Sequence, residues 1–212
     1  MKKPVVYYIF DTLCGWCYGF APVINQLQQE LGPNVTFTAI SGGMVTGERI
    51  GPITQMAVYI KRSAPRVTEV SGVAFGNAYL EGVLNDENYI SNSVPPAIAL
   101  NIFRTQQPGK QLYFAHAIQK LIFEEGKDLN QPEIYLPLAE EAGLTSEEFR
   151  KRFEDPKVRE DVEKEFTLVQ NWGISGFPAV VVEKKEKLYL VAQGFQPLEN
   201  LSGAIKEVLE KE

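Results

Sequence analysis

The sequence predicts an α/β fold: a small sheet domain interrupted by a large all-helical insertion. Three observations predict it. A run of β-formers, Val5–Phe10, opens the chain, and comparable β texture returns strongly only at Ala179. Between Met44 and Trp172 the apolar residues recur instead at helical spacing. Residues 1–43 and 173–212 read as β-α-β and β-β-α, about 80 residues together, which suits a four-stranded sheet with flanking helices. The expected domains are therefore 1–43 plus 173–212 for the sheet unit and 44–172 for the insertion.

Taken in order, Val5–Phe10 is an unbroken apolar run, as in a strand covered on both faces. Phe20, Val23, Ile24, Leu27 and Leu31 mark a helix that Gly32-Pro33 stops. Pro22 lies inside that helix and removes its hydrogen bond to the Tyr18 carbonyl. Val35–Ile40 is a second strand ending at Ser41-Gly42-Gly43, where the glycines make a turn or line a groove. In the insertion, Pro95-Pro96 opens a helix over Ala97–Arg104, and another over Gln111–Glu125 ends at Gly126. Thr145 and Glu148 have capping-box spacing. Asp155-Pro156 starts what is expected to be the longest helix of the block, running to Trp172. Two strands, Ala179–Glu183 and Leu188–Gln193, flank the charged turn Lys184-Lys185-Glu186. A last helix carries Leu198, Leu201, Ile205 and Leu209 on one face.

Composition narrows the function. A chain of 212 residues with 44% hydrophobic and 23% charged content is ordinary for a globular protein. The formal charge of −6 argues against nucleic acid or an anionic membrane as partner, since either needs a basic patch. No apolar run approaches the roughly 20 residues of a membrane span. Lys2 and Lys3 before Val5–Phe10 resemble the start of a signal peptide, but Asp11 ends the run and no small-residue cleavage site follows. The expected compartment is the cytoplasm, where an isolated cysteine pair is more often catalytic than structural.

That pair is Cys14-Gly15-Trp16-Cys17, directly behind the first strand and ahead of the first helix. A thiol at the first turn of a helix meets unpaired backbone N–H groups and the positive dipole end, and both favour the thiolate. The second sulfur lies on the same helical face, three residues on, and can close a disulfide with the first. Such a dithiol exchanges disulfides with other molecules. The same spacing also makes half of a zinc site, but with 2 cysteines and 1 histidine the chain is short of sulfur and nitrogen ligands. Two inert buried thiols are the remaining alternative.

Two stretches resemble a known family: Asp11-Thr12-Leu13-Cys14-Gly15-Trp16-Cys17-Tyr18-Gly19-Phe20 and Gly173-Ile174-Ser175-Gly176-Phe177-Pro178-Ala179. In them the chain resembles the thioredoxin superfamily, specifically its DsbA-like branch with a helical insertion. The aromatic residue before the second cysteine is similar to that of the FrnE-like protein-disulfide isomerases. The resemblance spans the whole order of elements. It implies a thioredoxin-like fold, with Cys14 as exposed nucleophile, Cys17 as resolving thiol and Pro178 as a cis-proline facing the pair. The Phe177 backbone would bind an extended substrate segment, and Gly176 would leave room for that approach. The alternative for Pro178 is an ordinary trans proline opening a strand, which is also tolerated.

The resemblance further implies a thiol–disulfide oxidoreductase or disulfide isomerase acting by ping-pong exchange on protein or small-molecule thiols and disulfides. It requires no bound organic cofactor; the redox centre is the Cys14–Cys17 disulfide, with glutathione open as a co-substrate. Gly15-Trp16 replaces the Pro-His pair of the oxidising periplasmic members, so the potential is expected below the roughly −120 mV of DsbA. One rival keeps the fold: kappa-class glutathione transferases and 2-hydroxychromene-2-carboxylate isomerases, which carry a serine where this chain has Cys14. Another is a non-enzymatic metal or cluster-binding module. Trp16 is expected to be exposed, covering the sheet end or offering an apolar surface to substrate. Asp11 either caps the active-site helix, as Thr12 also can, or acts behind the site as the base for Cys17. His116 is expected on the polar side of its helix near Gln119 and Lys120, away from the Phe114, Ile118, Leu121 and Ile122 stripe. Phe103, Phe114 and Phe123 are expected in the core.

Overall fold

The computed structural model describes residues 3–211; Met1, Lys2 and Glu212, and with them the Lys2 reading, lie outside it. Strand β1 (Val5–Phe10) leads into helix α1 (Gly15–Leu31), with Pro22 inside it, and Gly32 turns the chain at φ 55°. Strand β2 (Thr36–Ser41) follows. The intervening stretch contains β3 (Gly51–Pro52), α2 (Thr54–Ser71), a π turn at Ala78–Gly82 and β4 (Ile90–Ser91). Next come α3 (Val94–Gln106), α4 (Gln111–Phe123), α5 (Leu136–Glu141), α6 (Ser146–Phe153) and α7 (Pro156–Asn171). Strands β5 (Ala179–Lys184) and β6 (Lys187–Gln193) and helix α8 (Leu198–Glu210) complete the chain. Among the described residues, no helix is long and apolar enough to cross a membrane.

The main sheet has the order β2-β1-β5-β6. β2 runs parallel to β1, with Phe10 opposite Ser41, while β5 runs antiparallel to β1, with Ile9 opposite Ala179. This register brings the end of β1, the end of β2 and the start of β5 to one edge of the sheet. The cysteine motif, Gly42-Gly43 and Pro178 are the residues that continue those three strands. In β1 and β5 both faces are largely buried, as the unbroken apolar runs require. Val6, Tyr8, Phe10, Val180 and Val182 face the larger core with α1 and α8, whereas Ile9, Ile40, Ala179 and Val181 pack with Val169 and Ile174 on the other side.

The β2 edge of the sheet is closed by side chains from the helical stretch. The Gln111 amide accepts from Ala39 N at 3.0 Å and donates to the Phe37 carbonyl at 2.8 Å. Arg104 donates to the Ala39 carbonyl at 3.0 Å and pairs with Glu165, whose carboxylate also takes the Ser41 N–H. Burial pushes the Glu165 carboxyl up, while Arg104 and the Ser41 N–H pull it down. A strand edge without such partners would leave buried backbone groups unpaired, at about 1–3 kcal/mol each.

Three details differ from expectation. The stretch expected to be all-helical also contains the short β3–β4 antiparallel pair, with Gly51 opposite Ser91. Its longest helix is α2, with 18 residues against 16 for α7. Met56, Val58 and Tyr59 lie on α2's exposed side and Pro65 inside it, which blurs the apolar period that would have revealed it. Finally, α4 is buried on more than one side, because it packs against α1, α3 and β2. Gln119 is therefore buried and His116 half-buried, stacked on Tyr18 at 5.9 Å, rather than on a solvated face. Phe103, Phe114 and Phe123 are in the core, and the Thr145–Glu148 capping box is formed.

Candidate active site

The turn after β1 sets the first sulfur at a helix start. Cys14 N–H closes onto the Asp11 carbonyl at 3.1 Å, leaving Cys14 in extended geometry at φ −86° and ψ 110°. Cys14 is itself the N-cap of α1: its Sγ accepts the Cys17 N–H at 3.3 Å. A negative sulfur there gains from that N–H and from the positive helix end. Neither Asp11 nor Thr12 is the cap, because the chain turns back to helix only at Cys14. The Cys14 thiol also lies 3.7 Å from the Phe177 carbonyl. The Phe177–Pro178 peptide is cis, and Pro178 is buried beside Ala179 at the start of β5.

The two thiols are not equivalent. Cys14 keeps 7% of its surface exposed and Cys17 none. Burial pushes the Cys17 thiol up, helped by the neighbouring Cys14, while the Asp11 main-chain N–H acts in the opposite direction. Tyr8 Oη donates to the Cys17 carbonyl at 3.1 Å and fixes the first turn of α1 from the core side. Cys14 is therefore the more accessible of the two sulfurs.

Asp11 is buried, and its carboxylate ties three segments together. Oδ1 accepts from Leu13 N and Ser93 Oγ, each at 2.9 Å, and Oδ2 accepts from Met44 N at 2.7 Å. Ser93 Oγ in turn accepts from Val45 N at 3.0 Å. Burial raises the Asp11 carboxyl above its ordinary range, while these three donors and the more distant Arg49 charge lower it.

Aromatic side chains wall the site. A Cβ on Gly15 would lie 3.2 Å from the Phe75 ring, and one on Gly42 would lie 2.2 Å from the Phe177 ring. Gly43, at φ +67°, would meet the Phe166 ring at 2.7 Å. Trp16 is half-buried, not exposed, because Phe195 packs 6.2 Å from its ring. Gly176 would meet the Gln193 side chain at 3.2 Å.

The structure thus brings Cys14, Cys17, Asp11, Gly176, Phe177 and Pro178 together, with Trp16 at the rim. His116 stays behind Tyr18, and burial holds its imidazole below the ordinary value. Among the described residues, no cluster of three or more His, Cys, Asp or Glu side chains is placed to hold a metal ion. Reading the sequence missed Phe75, Ser93, Met44 and Phe195. Gly15 and the Gly42-Gly43 pair were the available signals for the close ring contacts; Ser93, in a polar loop, gave none.

The DSBA-like thioredoxin domain model matches residues 5–206. Among solved structures, a "putative protein disulfide isomerase" from Nitrosomonas europaea superposes with a TM-score of 0.86 at 31% identity, covering 99% of this chain and 98% of that one. The cytosolic disulfide reductase DsbM from Pseudomonas aeruginosa gives a TM-score of 0.79 at 25% identity, covering 97% and 98%, and has also been solved with GSH. A curated relative, the ClpXP adapter protein SpxH of Halalkalibacterium halodurans, is 26% identical over 157 residues, covering 70% of this chain. The chain spans about half the length of the curated relatives it matches, 49% in that case. With strand order, cysteine turn and proline loop all in place, this chain belongs to the DsbA-like thioredoxin domain family.

Proposed function

We propose that this protein is a cytoplasmic thiol–disulfide oxidoreductase that reduces and rearranges disulfides through Cys14 and Cys17. The observation that carries the reading is the asymmetry of the pair. Cys14 is partly open, with its sulfur on the Cys17 N–H at 3.3 Å, while Cys17 is sealed beneath it with its thiol pushed up by burial. The Cys14 thiolate attacks one sulfur of a substrate disulfide, forming a mixed disulfide; the other substrate sulfur leaves as a thiolate and takes a proton from solvent. Cys17 then gives up its proton and attacks the Cys14 sulfur, releasing the second substrate thiolate. Two electrons pass to the substrate and the protein is left with a Cys14–Cys17 disulfide. The reverse sequence oxidises a dithiol.

In this reading Asp11 receives the Cys17 proton: its charge is felt at Cys17 and burial raises its carboxyl, both of which support a base behind the pair. The Phe177 carbonyl, 3.7 Å from Cys14 Sγ, lies where the backbone of an extended substrate would pair. Glutathione-class thiols suit the step that re-reduces the protein, with two consumed per disulfide opened. The structure of DsbM with GSH supports that choice of co-substrate, and the cytosolic description of DsbM supports the compartment.

The test is a pair of variants assayed in the reduced state for reduction of an insulin-type or small disulfide substrate. Cys14→Ser is expected to abolish exchange. Cys17→Ser is expected to accumulate the mixed disulfide on Cys14, seen as an adduct by intact-mass measurement. Full reduction by Cys14→Ser would overturn the assignment.

A further inference from the structure

A guanidinium stands on the loop that lines one side of the dithiol. Arg49 lies in the short turn Gly47–Arg49 after β2, with an exposed side chain. One terminal nitrogen, Nη2, donates to the Gly43 carbonyl at 3.0 Å and reaches Thr46 Oγ1 at 3.4 Å. Among the described residues it forms no ion pair, and Glu48, next to it in the turn, does not bond to it. Gly43 belongs to the loop whose preceding residue, Gly42, lies against the Phe177 ring; the Phe177 carbonyl is the group facing Cys14 Sγ. The following residue, Met44, is bonded to Asp11, three residues before Cys14. The guanidinium charge is felt at Asp11.

A loop so closely held fixes where the charge sits. Ser41 is anchored by Glu165, Gly43 packs over the Phe166 ring, and Met44 is tied to the Asp11 carboxylate. The chain as a whole carries a formal charge of −6, so its general field repels anions. An exposed arginine bonded to Gly43, next to the residue that binds the Asp11 carboxylate, opposes that repulsion locally. It has donors to spare in a geometry that matches a carboxylate.

Building on the dithiol reading above, we propose that Arg49 is a specificity-determining residue that selects disulfides bearing carboxylates near the sulfur. Glutathione-class peptides are the substrate class that fits. Their carboxylates are carried on the same short peptide as the cysteine sulfur. Arg49 takes no part in bond exchange. It holds the anionic arm of the substrate while Cys14 attacks, and it should act on the encounter and the mixed disulfide rather than on resolution by Cys17.

The experiment is a single-turnover measurement on the reduced full chain, with oxidised glutathione and neutral bis(2-hydroxyethyl) disulfide as paired substrates. The readout is the ratio of their second-order rate constants. Arg49→Ala is expected to lower that ratio about fivefold, and Arg49→Glu further, as for loss of a charge-assisted contact at an exposed site. Arg49→Lys should retain part of the ratio, and raising the salt should shrink it in the parent protein but not in Arg49→Ala. Because Arg49 also braces the Gly43 turn, a purely structural role would slow both substrates alike and leave the ratio in place. An unmoved ratio in Arg49→Ala and Arg49→Glu overturns the proposal. If the parent protein reacts with neither disulfide, the dithiol reading fails and this inference with it; if it reacts with both and only the ratio test fails, the dithiol reading stands alone.

Discussion

The two edges of the sheet are treated differently. At β2 the outward Phe37, Ala39 and Ser41 groups are taken up by Gln111, Arg104 and Glu165, and the strand continues directly into the loop beside Cys14. At β6, Leu188 and Leu190 are 46% and 54% exposed, and among the described residues no side chain bonds to the strand's outer backbone. The difference follows the chemistry. The edge that runs into the Gly42-Gly43 loop is fixed by buried polar contacts, which tolerate little displacement, whereas the middle of the β6 edge is left to water.

Removing one partner of the buried clamp should break this contrast most strongly. Arg104→Met strands the Glu165 carboxylate and the Ala39 carbonyl, with an expected loss of about 3–5 kcal/mol in urea unfolding. The deficit should depend on pH. Burial raises the Glu165 carboxyl in the folded protein and Arg104 opposes that rise. Without Arg104 the folded state holds the proton still more tightly than the unfolded chain. The stability tied to that proton is present at low pH and lost as pH climbs through the raised value. The variant should therefore recover as the pH falls and be weakest above the raised value; a flat pH profile of the deficit would show the carboxylate reaching water.

Gly43→Ala probes the same edge one step closer to the sulfurs. It places a methyl group 2.7 Å from the Phe166 ring at φ +67°. The expected cost is about 2–4 kcal/mol, with slower exchange as the loop shifts. A loss under 1 kcal/mol would mean the loop is not held by α7. At the other edge, Leu190→Lys should change stability by no more than about 0.5 kcal/mol. A larger loss there would show that the open edge is covered in solution.

Much of the architecture was legible because it is local. The apolar run of β1, the Gly32-Pro33 stop, the Thr145–Glu148 box and the Asp155-Pro156 start are each decided within a few residues. The cysteine turn was equally readable in consecutive residues, whereas the Gly176-Phe177-Pro178 loop was legible through the family resemblance. What escaped was long-range and polar. Gln111 bonds to residues 72 and 74 positions earlier, and a glutamine at a helix start reads as a solvated side chain. Ser93 reaches Asp11 across 82 positions, which no periodicity records, and Asp11 accordingly looked like a cap for α1. Trp16 looked exposed because its partner, Phe195, comes from the far end of the chain.

The Phe75 ring over Gly15 bears on how this cysteine turn can diversify. In dithiol proteins the two residues between the sulfurs are the handiest dial for potential, open to change without touching the scaffold. Here the first of those positions is hemmed in by a ring supplied from sixty residues downstream. Any larger side chain at 15 must push that ring aside, and Tyr18, Tyr79 and Phe123 stack around it. Variation at positions 15 and 75 is thereby yoked: a descendant that retunes its sulfurs through the first must also trim the second.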